Sequence, residues 1–205
     1  MTRRELMGAM LFGAASLMAA PDWALAAKSI RGSRLKDAKK HLDPTPQLVR
    51  PNSRIDDLHS GFISLYNPHT REFLKIRYMN KNGMIDKMAC DKLNYFFRCH
   101  ATGKKIGIDP EVFLLLDAVR TRVGAKDRPY ILYSGYRSPA YNRMLRRVDK
   151  HVAQNSYHTK GMAADIAIDD VRLSDIERTA RDLCIGGVGK YDDFVHLDVG
   201  PVRYW

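Results

Sequence analysis

One aspartate inside an apolar run constrains this chain more than any other feature. Residues 162–168 read Met-Ala-Ala-Asp-Ile-Ala-Ile, so Asp165 is the only charged residue in a segment that predicts a buried strand. Strand alternation places Asp165 on the same face as Ala163 and Ala167. A carboxylate buried among alanines is costly unless a cation compensates it. A metal ion is the simplest such cation, so the segment predicts a metal site.

Two histidines lie at spacings that suit this site. His158 enters from a loop seven residues before Asp165, and His196 lies in a predicted strand, residues 194–199, that also carries Asp198. Strand periodicity places His196 and Asp198 on one face. Two neutral imidazoles and one carboxylate leave a fourth tetrahedral position open for water, as in a catalytic zinc site. Each spacing alone recurs by chance, and a lone histidine in a strand is more often a core residue than a ligand.

The other periodic segments predict a single α+β domain over residues 58–205. Apolar alternation in residues 62–66 and 73–78 indicates a hairpin, and residues 130–133 form another predicted strand. Predicted helices start at Asp86, Asp109, Ser138 and Ser174, the last with a capping box formed with Glu177. Because helices and strands mix without a regular βαβ alternation, we expect a small, mainly antiparallel sheet with flanking helices.

The first 26 residues have the pattern of an export signal. Arg3 and Arg4 precede an apolar run, residues 7–20, and a small-x-small sequence follows at 24–26. The twin arginines predict that the twin-arginine translocase exports the folded protein to the periplasm. The apolar run is shorter than the roughly 20 residues that cross a hydrocarbon core, and an uncleaved anchor is the alternative to a cleaved signal.

The charge of the chain indicates an anionic partner. The 34 Lys and Arg residues against 23 Asp and Glu residues give a formal net charge of +11. Nearly half of this excess lies in residues 27–50, within a predicted flexible tether over residues 27–57. The tether is either a solvated linker or a weak contact with the cell wall or a membrane. Nucleic acid is disfavoured, because the basic residues lack interleaved aromatics and the export signal leads away from it.

The cysteines add little to these predictions. Cys90, Cys99 and Cys184 allow at most one disulfide within the chain, so at least one thiol stays free. If Cys90 and Cys99 share one helix, they lie roughly 13 Å apart along its axis, beyond the reach of a disulfide. Since no cysteine spacing resembles a zinc finger, histidine and carboxylate must hold any metal.

Four ordered motifs surround the candidate ligands. They read SGYRSPxxN at 134–142, SxHxxGxAxDI at 156–166, GGVGxY at 186–191 and FVHxDxG at 194–200. With the sequence VRYW at 202–205, they resemble the YcbK/MepK-like murein endopeptidases of the D-Ala-D-Ala metallopeptidase and hedgehog-like superfamily. The resemblance covers roughly residues 59–205. It implies a hedgehog/D-Ala-D-Ala peptidase-like α+β fold and zinc-dependent hydrolysis of the stem-peptide bonds that cross-link peptidoglycan.

The resemblance also implies roles for single residues. Carried over position by position, it makes His158, Asp165 and His196 the ligands of Zn²⁺. Three further positions match residues that contact the substrate: Arg137, Ser156 and Asn142. Arg137 is also expected to steady the transition state, because a guanidinium fixed beside a turn can receive a carboxylate or an oxyanion.

The general base stays open between two aspartates. Many members of the superfamily have an acid three residues before the last histidine, which is Asp193 here, whereas the YcbK-like group keeps the His-x-Asp pattern that ends at Asp198. Strand geometry favours Asp198, because it shares a face with His196. Asp193 can reach the site only if the chain curls before the strand begins.

Two other functions fit the same residues. A D,D-carboxypeptidase or dipeptidase that trims free peptide ends would share every motif, because the choice of bond depends on the shape of the cleft. A non-catalytic wall-binding module on this scaffold would keep the metal but release no soluble product.

Overall fold

A seven-stranded mixed sheet forms the centre of the computed structural model, which describes residues 59–205. The strands are β1 (Phe62–Asn67), β2 (Glu72–Arg77), β3 (Tyr130–Ser134), β4 (Ala163–Ile168), β5 (Gly187–Lys190), β6 (Val195–Asp198) and β7 (Arg203–Tyr204). The helices are α1 (Lys87–Phe96), α2 (Pro110–Arg122), α3 (Pro139–Val148) and α4 (Leu173–Leu183), with a 3₁₀ helix at Tyr157–Lys160. None of the helices within residues 59–205 is long and apolar enough to cross a membrane.

The predicted export signal, residues 1–26, and the predicted tether, residues 27–57, lie outside the described residues. The predicted peptidase domain is described from residue 59 onward.

The α+β class is confirmed, but the sheet is larger and more mixed than predicted. Its strand order is β2-β1-β3-β4-β6-β5-β7, and two of its strand pairs, β1 with β3 and β5 with β7, are parallel. The first parallel pair arises because α1 and α2 lie in the crossover between β1 and β3. The second arises from β7, a two-residue strand that is too short to leave a periodic signal in the sequence.

Most of the predicted element boundaries are confirmed. β1 and β2 pair antiparallel as the predicted hairpin, from Phe62 opposite Arg77 to Asn67 opposite Glu72. Side chains cap three helices as predicted: Asp86 accepts from the Ala89 amide, Asp109 from Glu111 and Ser138 from Tyr141. Capping by local side chains therefore fixes where α1, α2 and α3 begin.

The predicted capping box at Ser174 is wrong. The N-cap lies two residues earlier, at Arg172, which makes no side-chain cap bond, and helix α4 begins at Leu173. Asp175 occupies the first turn instead and accepts two hydrogen bonds from the Arg172 guanidinium, at 2.7 and 3.1 Å. An acid in the first turn also opposes the partial positive charge of the helix N-terminus.

All three cysteines are free thiols. Helix α1 ends at Phe96, so Cys90 and Cys99 do not share one helix as the distance argument assumed. Cys99 is buried and its thiol lies 3.7 Å from the Ser138 hydroxyl, at the loop that leads into α3.

The centre of the sheet positions the candidate site. All six residues of β4 are buried, because β3 and β6 cover its two edges and helices cover its apolar side chains. The core behind it is built from large apolar side chains that include Leu132, Ile166, Leu116, Phe113 and Leu93. Antiparallel pairing of β4 with β6 sets Asp165 directly opposite His196. A carboxylate and an imidazole thus meet in the interior of the sheet.

Candidate metal centre

Three buried side chains bring one ligand atom each to a common point. Asp165 comes from β4, His196 from β6 and His158 from the 3₁₀ helix that precedes β4. Asp165 Oδ1 lies 2.8 Å from His196 Nδ1 and 3.1 Å from His158 Nε2. The two imidazole nitrogens, His158 Nε2 and His196 Nδ1, are 3.1 Å apart. The structure therefore brings together the three residues that the sequence singled out as ligands.

A glycine turn delivers His158 to this point. Gly161 ends the 3₁₀ helix with a positive φ of 73°, a conformation that favours glycine. A Cβ atom at Gly161 would lie 2.6 Å from the Gly107 carbonyl oxygen, so no larger residue fits without moving the backbone. The turn lets the chain pass from His158 into β4 within a few residues.

The hydrogen bonds on the far side of each imidazole decide which nitrogen faces the cluster. His158 Nδ1 lies 2.7 Å from the Gly135 carbonyl oxygen, which can only accept, so Nδ1 carries the proton and Nε2 presents a lone pair. His196 Nε2 lies 2.9 Å from Asp198 Oδ2, so it donates to that carboxylate and leaves Nδ1 for the cluster.

The donor set fits a small divalent cation. Three lone-pair-bearing atoms with separations of 2.8 to 3.1 Å need a positive charge between them. Ligands about 2.1 Å from a tetrahedral zinc ion are about 3.4 Å apart, close to the observed separations. Two imidazoles and one carboxylate are ligands that zinc commonly takes.

Burial and charge give the three groups different protonation states. Burial lowers the pKa of His158 to about 4, and the nearby Arg137 acts in the same direction. Burial opposes ionisation of Asp165, but His158 and Arg137 outweigh it and hold the pKa of Asp165 well below its usual range. Burial also acts to lower the pKa of His196, but hydrogen bonds to Asp165 and Asp198 raise it overall. These hydrogen bonds favour a proton on His196, at the point where the three ligand atoms would hold a metal ion.

Arg137 fixes the outer oxygen of Asp165. Its guanidinium donates to Asp165 Oδ2, and its Nε donates to the Ser134 hydroxyl at 2.9 Å. The Arg137 amide also donates to the His158 carbonyl at 3.1 Å, which ties the loop after β3 to the 3₁₀ helix. With Oδ2 held by Arg137, Oδ1 is left to face the two histidines. The Arg137 side chain is 16% exposed, so part of it also reaches the surface.

The motifs and this geometry agree with the comparisons with known proteins. Residues 58–205 match the model of the family described as peptidoglycan L,D-endopeptidase MepK. The chain belongs to this family. The peptidoglycan L,D-endopeptidase MepK of Escherichia coli (strain K12) is 40% identical over 167 residues, which cover 79% of this chain and 87% of that protein. The probable peptidoglycan L,D-endopeptidase MepK of Haemophilus influenzae is 36% identical over 162 residues, 77% of this chain and 87% of its own.

Asp198 lies behind His196 within this MepK-family site. Its Oδ2 receives His196 Nε2, while the ligand nitrogen Nδ1 lies on the other side of the ring. The carboxylate is fully buried and accepts further hydrogen bonds from Arg203 and from the amides of Gly187 and Gly200. Burial acts to raise the pKa of Asp198, but its bonds to His196 and Arg203 lower it overall. The imidazole thus separates Asp198 from the cluster.

The remaining predicted residues are not among the three ligands. Asp193 is half-buried in the turn that joins β5 to β6, which the Tyr191 amide closes with a 2.9 Å bond to the Phe194 carbonyl. Ser156 is buried at the start of the 3₁₀ helix, where its carbonyl accepts from the Thr159 amide at 3.0 Å. The turn that contains Asp193 therefore bends the chain just before β6.

Asn142 has a packing partner of its own. It is buried on α3 and donates through Nδ2 to the Ala153 carbonyl at 3.0 Å. This bond ties α3 to the loop that leads toward Ser156, and no contact in the structure joins Asn142 to the three ligand atoms. The predicted substrate contact of Asn142 stays a prediction.

Two groups that orient the ligands have no role in the sequence-based prediction. The Gly135 carbonyl fixes His158, and Arg203 grips the carboxylate that fixes His196. Gly135 belongs to the motif SGYRSP and lies 23 residues before its partner His158. Arg203 belongs to the motif VRYW and lies 5 residues after its partner Asp198. The sheet topology brings each pair together. The motifs could have marked these positions, whereas only the fold gives them a function.

Proposed function

We propose that this protein is a zinc-dependent peptidase that hydrolyses cross-linking peptide bonds in peptidoglycan, on a hedgehog/D-Ala-D-Ala peptidase-like fold. The observation that carries the proposal is the convergence of His158 Nε2, Asp165 Oδ1 and His196 Nδ1, each oriented by a hydrogen bond or ion pair on its outer side. Such a donor set in a member of the MepK family supports a catalytic rather than a structural metal, because three protein ligands leave a position for water.

These three residues would hold the ion. Zinc bound there supplies Lewis acidity, which polarises a carbonyl and lowers the pKa of a bound water toward neutrality. The protein's own part is to keep the donors aligned. The Gly135 carbonyl holds the proton of His158 on Nδ1, and Arg137 keeps one oxygen of Asp165 turned to the cluster.

Arg137 has a second task in the proposal. A guanidinium has five N–H donors, and the contacts to Asp165 and Ser134 use only part of them. Because the side chain also reaches the surface, its remaining donors can receive a substrate carboxylate or the oxyanion that develops on the scissile carbonyl. Ser156, at the start of the 3₁₀ helix that carries His158, is proposed to contact the substrate beside it.

We propose Asp193 as the general base and Asp198 as a residue that orients His196. The turn at residues 191–194 and the His196 ring, which screens Asp198 from the cluster, support this assignment. Asp193→Asn should lower kcat by about 10²- to 10⁴-fold with no change in zinc content, because general-base catalysis is worth about that much. Asp192→Asn, in the same turn, is the matched control and should keep wild-type activity. Equal activity of both variants would assign the base elsewhere.

The direct test of the function is digestion of purified sacculi. Wild-type protein should convert cross-linked muropeptides into monomers, and a chelator should stop the reaction until zinc is restored. His196→Ala should release no muropeptide above background. Full hydrolysis by metal-free protein would contradict the proposal.

Chromatography of the same digests identifies the bond. The relatives are named L,D-endopeptidases, so we propose that the bond cut lies between an L- and a D-configured centre inside a cross-link. Loss of dimers that carry this bond supports the proposal. Loss of terminal D-Ala from monomers instead identifies a D,D-carboxypeptidase, and wall binding without any soluble product identifies a binding module.

We also propose that the protein works in the periplasm. The support is the pattern of residues 1–26, with the arginine pair Arg3 and Arg4 ahead of the apolar run. Replacing both arginines by lysine should leave the full-length precursor in the cytoplasmic fraction. Periplasmic recovery of the double variant at the wild-type level would argue against the twin-arginine route.

A further inference from the structure

Residues 203–205 lie against the candidate metal centre. Strand β7 pairs parallel with β5, with Arg203 opposite Gly187, and the Trp205 amide donates to the Val188 carbonyl at 3.2 Å. This pairing brings the Trp205 ring to 5.4 Å from the His196 ring, measured between centroids. The segment thus packs on the ligand histidine while its backbone completes the edge of the sheet.

Arg203 grips the carboxylate that orients His196. Its two terminal nitrogens reach the two oxygens of Asp198, at 2.6 Å to Oδ2 and 3.1 Å to Oδ1. The same Oδ2 accepts the proton of His196 Nε2 at 2.9 Å. A two-pronged guanidinium contact fixes both the position and the plane of a carboxylate. Arg203 therefore fixes the position of Asp198 Oδ2, the oxygen that orients the His196 ring.

The glycines of the GGVG motif make room for this arrangement. A Cβ atom at Gly187 would lie 2.7 Å from the Arg203 guanidinium and would collide with Asp198 Oδ2. A Cβ atom at Gly189 would overlap the indole of Trp205. The motif is thereby explained, because β5 must approach Asp198 and residues 203–205 more closely than any side chain allows.

We infer that Arg203 is a positioning residue of the metal centre, which acts through Asp198 to hold His196 Nδ1 toward the ion. The inference rests on the metal site of the proposed function and extends it to β7. Arg203 makes no hydrogen bond with the three ligand atoms, and its hydrogen bonds to Asp198 connect it to His196 Nε2. Contacts of this kind, one step beyond the ligands, typically change metal affinity 10- to 100-fold.

The test compares zinc affinity in Arg203→Met and in a matched control. The full chain is stripped of metal, and its dissociation constant for zinc is measured by competition with a chromophoric chelator at fixed pH. Arg203→Met should weaken zinc binding about 10- to 100-fold. Arg172→Met should leave it unchanged, because Arg172 makes the same two-pronged contact with an aspartate, Asp175, at the surface of α4.

A double-mutant cycle separates positioning from a general structural effect. If Arg203 acts through Asp198, Arg203→Met should weaken zinc binding no further in a chain that already carries Asp198→Asn. Cobalt supplies a second readout, since the visible spectrum of bound Co²⁺ should change in Arg203→Met if the His196 ring has moved. The inference is overturned if Arg203→Met keeps both the zinc affinity and the cobalt spectrum of wild type. It is also overturned if the effects of Arg203→Met and Asp198→Asn on zinc affinity add.

Two further controls keep the outcome decisive. If Arg203→Met does not fold, as judged by urea unfolding of the metal-free protein, Arg203→Lys takes its place in the same cycle. Lysine keeps the charge but can make only one of the two contacts with Asp198. A smaller loss of zinc affinity that disappears in the Asp198→Asn chain supports the inference. A loss that adds to that of Asp198→Asn overturns it. If wild-type protein binds no zinc, the proposed function fails. If wild type and Arg203→Met bind zinc equally well, only the inference about Arg203 fails.

Discussion

Asp117 and Asp165 are both buried in this domain, and their surroundings differ in kind. Asp117 on α2 is fully buried beside Arg120, whose guanidinium lies 4.0 Å away. Its oxygens accept hydrogen bonds from three donors: the Ser60 hydroxyl at 2.6 Å, the Gly61 amide at 2.9 Å and the Tyr78 hydroxyl at 3.0 Å. Asp165 has one such donor group, Arg137, on its outer oxygen, while its inner oxygen faces two imidazole nitrogens.

The difference shows what marks a buried carboxylate as functional. Around Asp117 every neighbour brings its own proton, so the group is satisfied within the protein and ties the start of β1 to α2. Around Asp165 the neighbours on the inner side are two imidazole nitrogens, oriented by Gly135 and Asp198, and His158 Nε2 brings a lone pair rather than a proton. Burial alone does not distinguish the two residues. The number of hydrogen-bond donors around each carboxylate does.

The largest effect is expected at Asp165. Asp165→Asn keeps the shape of the side chain but removes the charge that a cation needs, so the variant should fold, bind no zinc and release no muropeptide from sacculi. Metal analysis and a sacculus digest measure this, with Asp91→Asn on the exposed face of α1 as the control. A zinc-loaded, active Asp165→Asn would remove the distinction between the two aspartates.

Asp117→Ala should act in the opposite way. It should lower the free energy of unfolding by about 3 to 5 kcal/mol, because it leaves the buried Arg120 without its anion and three donors without their acceptor. Urea unfolding of the metal-free protein measures the loss. The zinc affinity of the folded fraction should equal that of wild type. A loss under about 1 kcal/mol, or a change in zinc affinity, would contradict the structural role.

Acid should lower the free energy of unfolding of the domain through His100. His100, bonded to the Tyr141 hydroxyl, has its pKa lowered to about 4 by burial, with His69 and Arg137 acting in the same direction. The unfolded chain then binds more protons than the folded one between about pH 6.5 and 4, so stability falls as the pH drops through this window. His100 should contribute about 2 kcal/mol to this loss in the metal-free protein, reduced from the full shift by partial exposure. His158, whose pKa burial also lowers to about 4, adds to the loss in the same window.

Substitution of His100 provides the check on this prediction. His100→Gln should flatten the dependence of unfolding free energy on pH over the same window. The hydroxyl, phenol and amide donors around Asp117 do not titrate there, so a Ser60→Ala variant should keep the wild-type slope. Equal slopes in wild type and His100→Gln would show that another group responds to acid.

The smallest effect concerns the proton that zinc replaces. Because hydrogen bonds to Asp165 and Asp198 raise the pKa of His196, binding at a pH below that value must expel about one proton. Zinc affinity should fall about tenfold per pH unit in that range. Calorimetry in buffers of different ionisation enthalpy counts the protons. A count near zero below pH 6.5 would show that His196 carries no extra proton in the metal-free site.

Much of this site follows from sequence periodicity. An aspartate in an apolar strand and a histidine in a second strand predict a buried metal cluster, because alternation fixes the face on which each side chain lies. Alternation also placed Asp198 on the face of His196, but it could not tell which ring nitrogen would meet the metal. The open choice between Asp198 and Asp193 came from that gap, since the hydrogen bonds that select a tautomer depend on tertiary contacts.

The fold was predictable to a similar depth. Helix starts at Asp86, Asp109 and Ser138 follow from local capping, and the structure confirms them. Strands β5 and β7 and their parallel pairing were missed, because a glycine-rich segment and a two-residue strand carry no period and the sheet determines their partners. The glycine motif beside them was visible in the sequence, but its reason is the close approach of Arg203 and Trp205.

The strand order β4-β6-β5 has a consequence for folding. Strand β6 follows β5 in the chain but lies between β5 and β4, so the β5–β6 hairpin must insert beside β4 before His196 meets Asp165. Pairing of segments so distant in sequence is slow compared with helix formation. Uptake of zinc at the proposed site should therefore report the pairing of β4 with β6, and refolding in the presence of a zinc indicator would time that step.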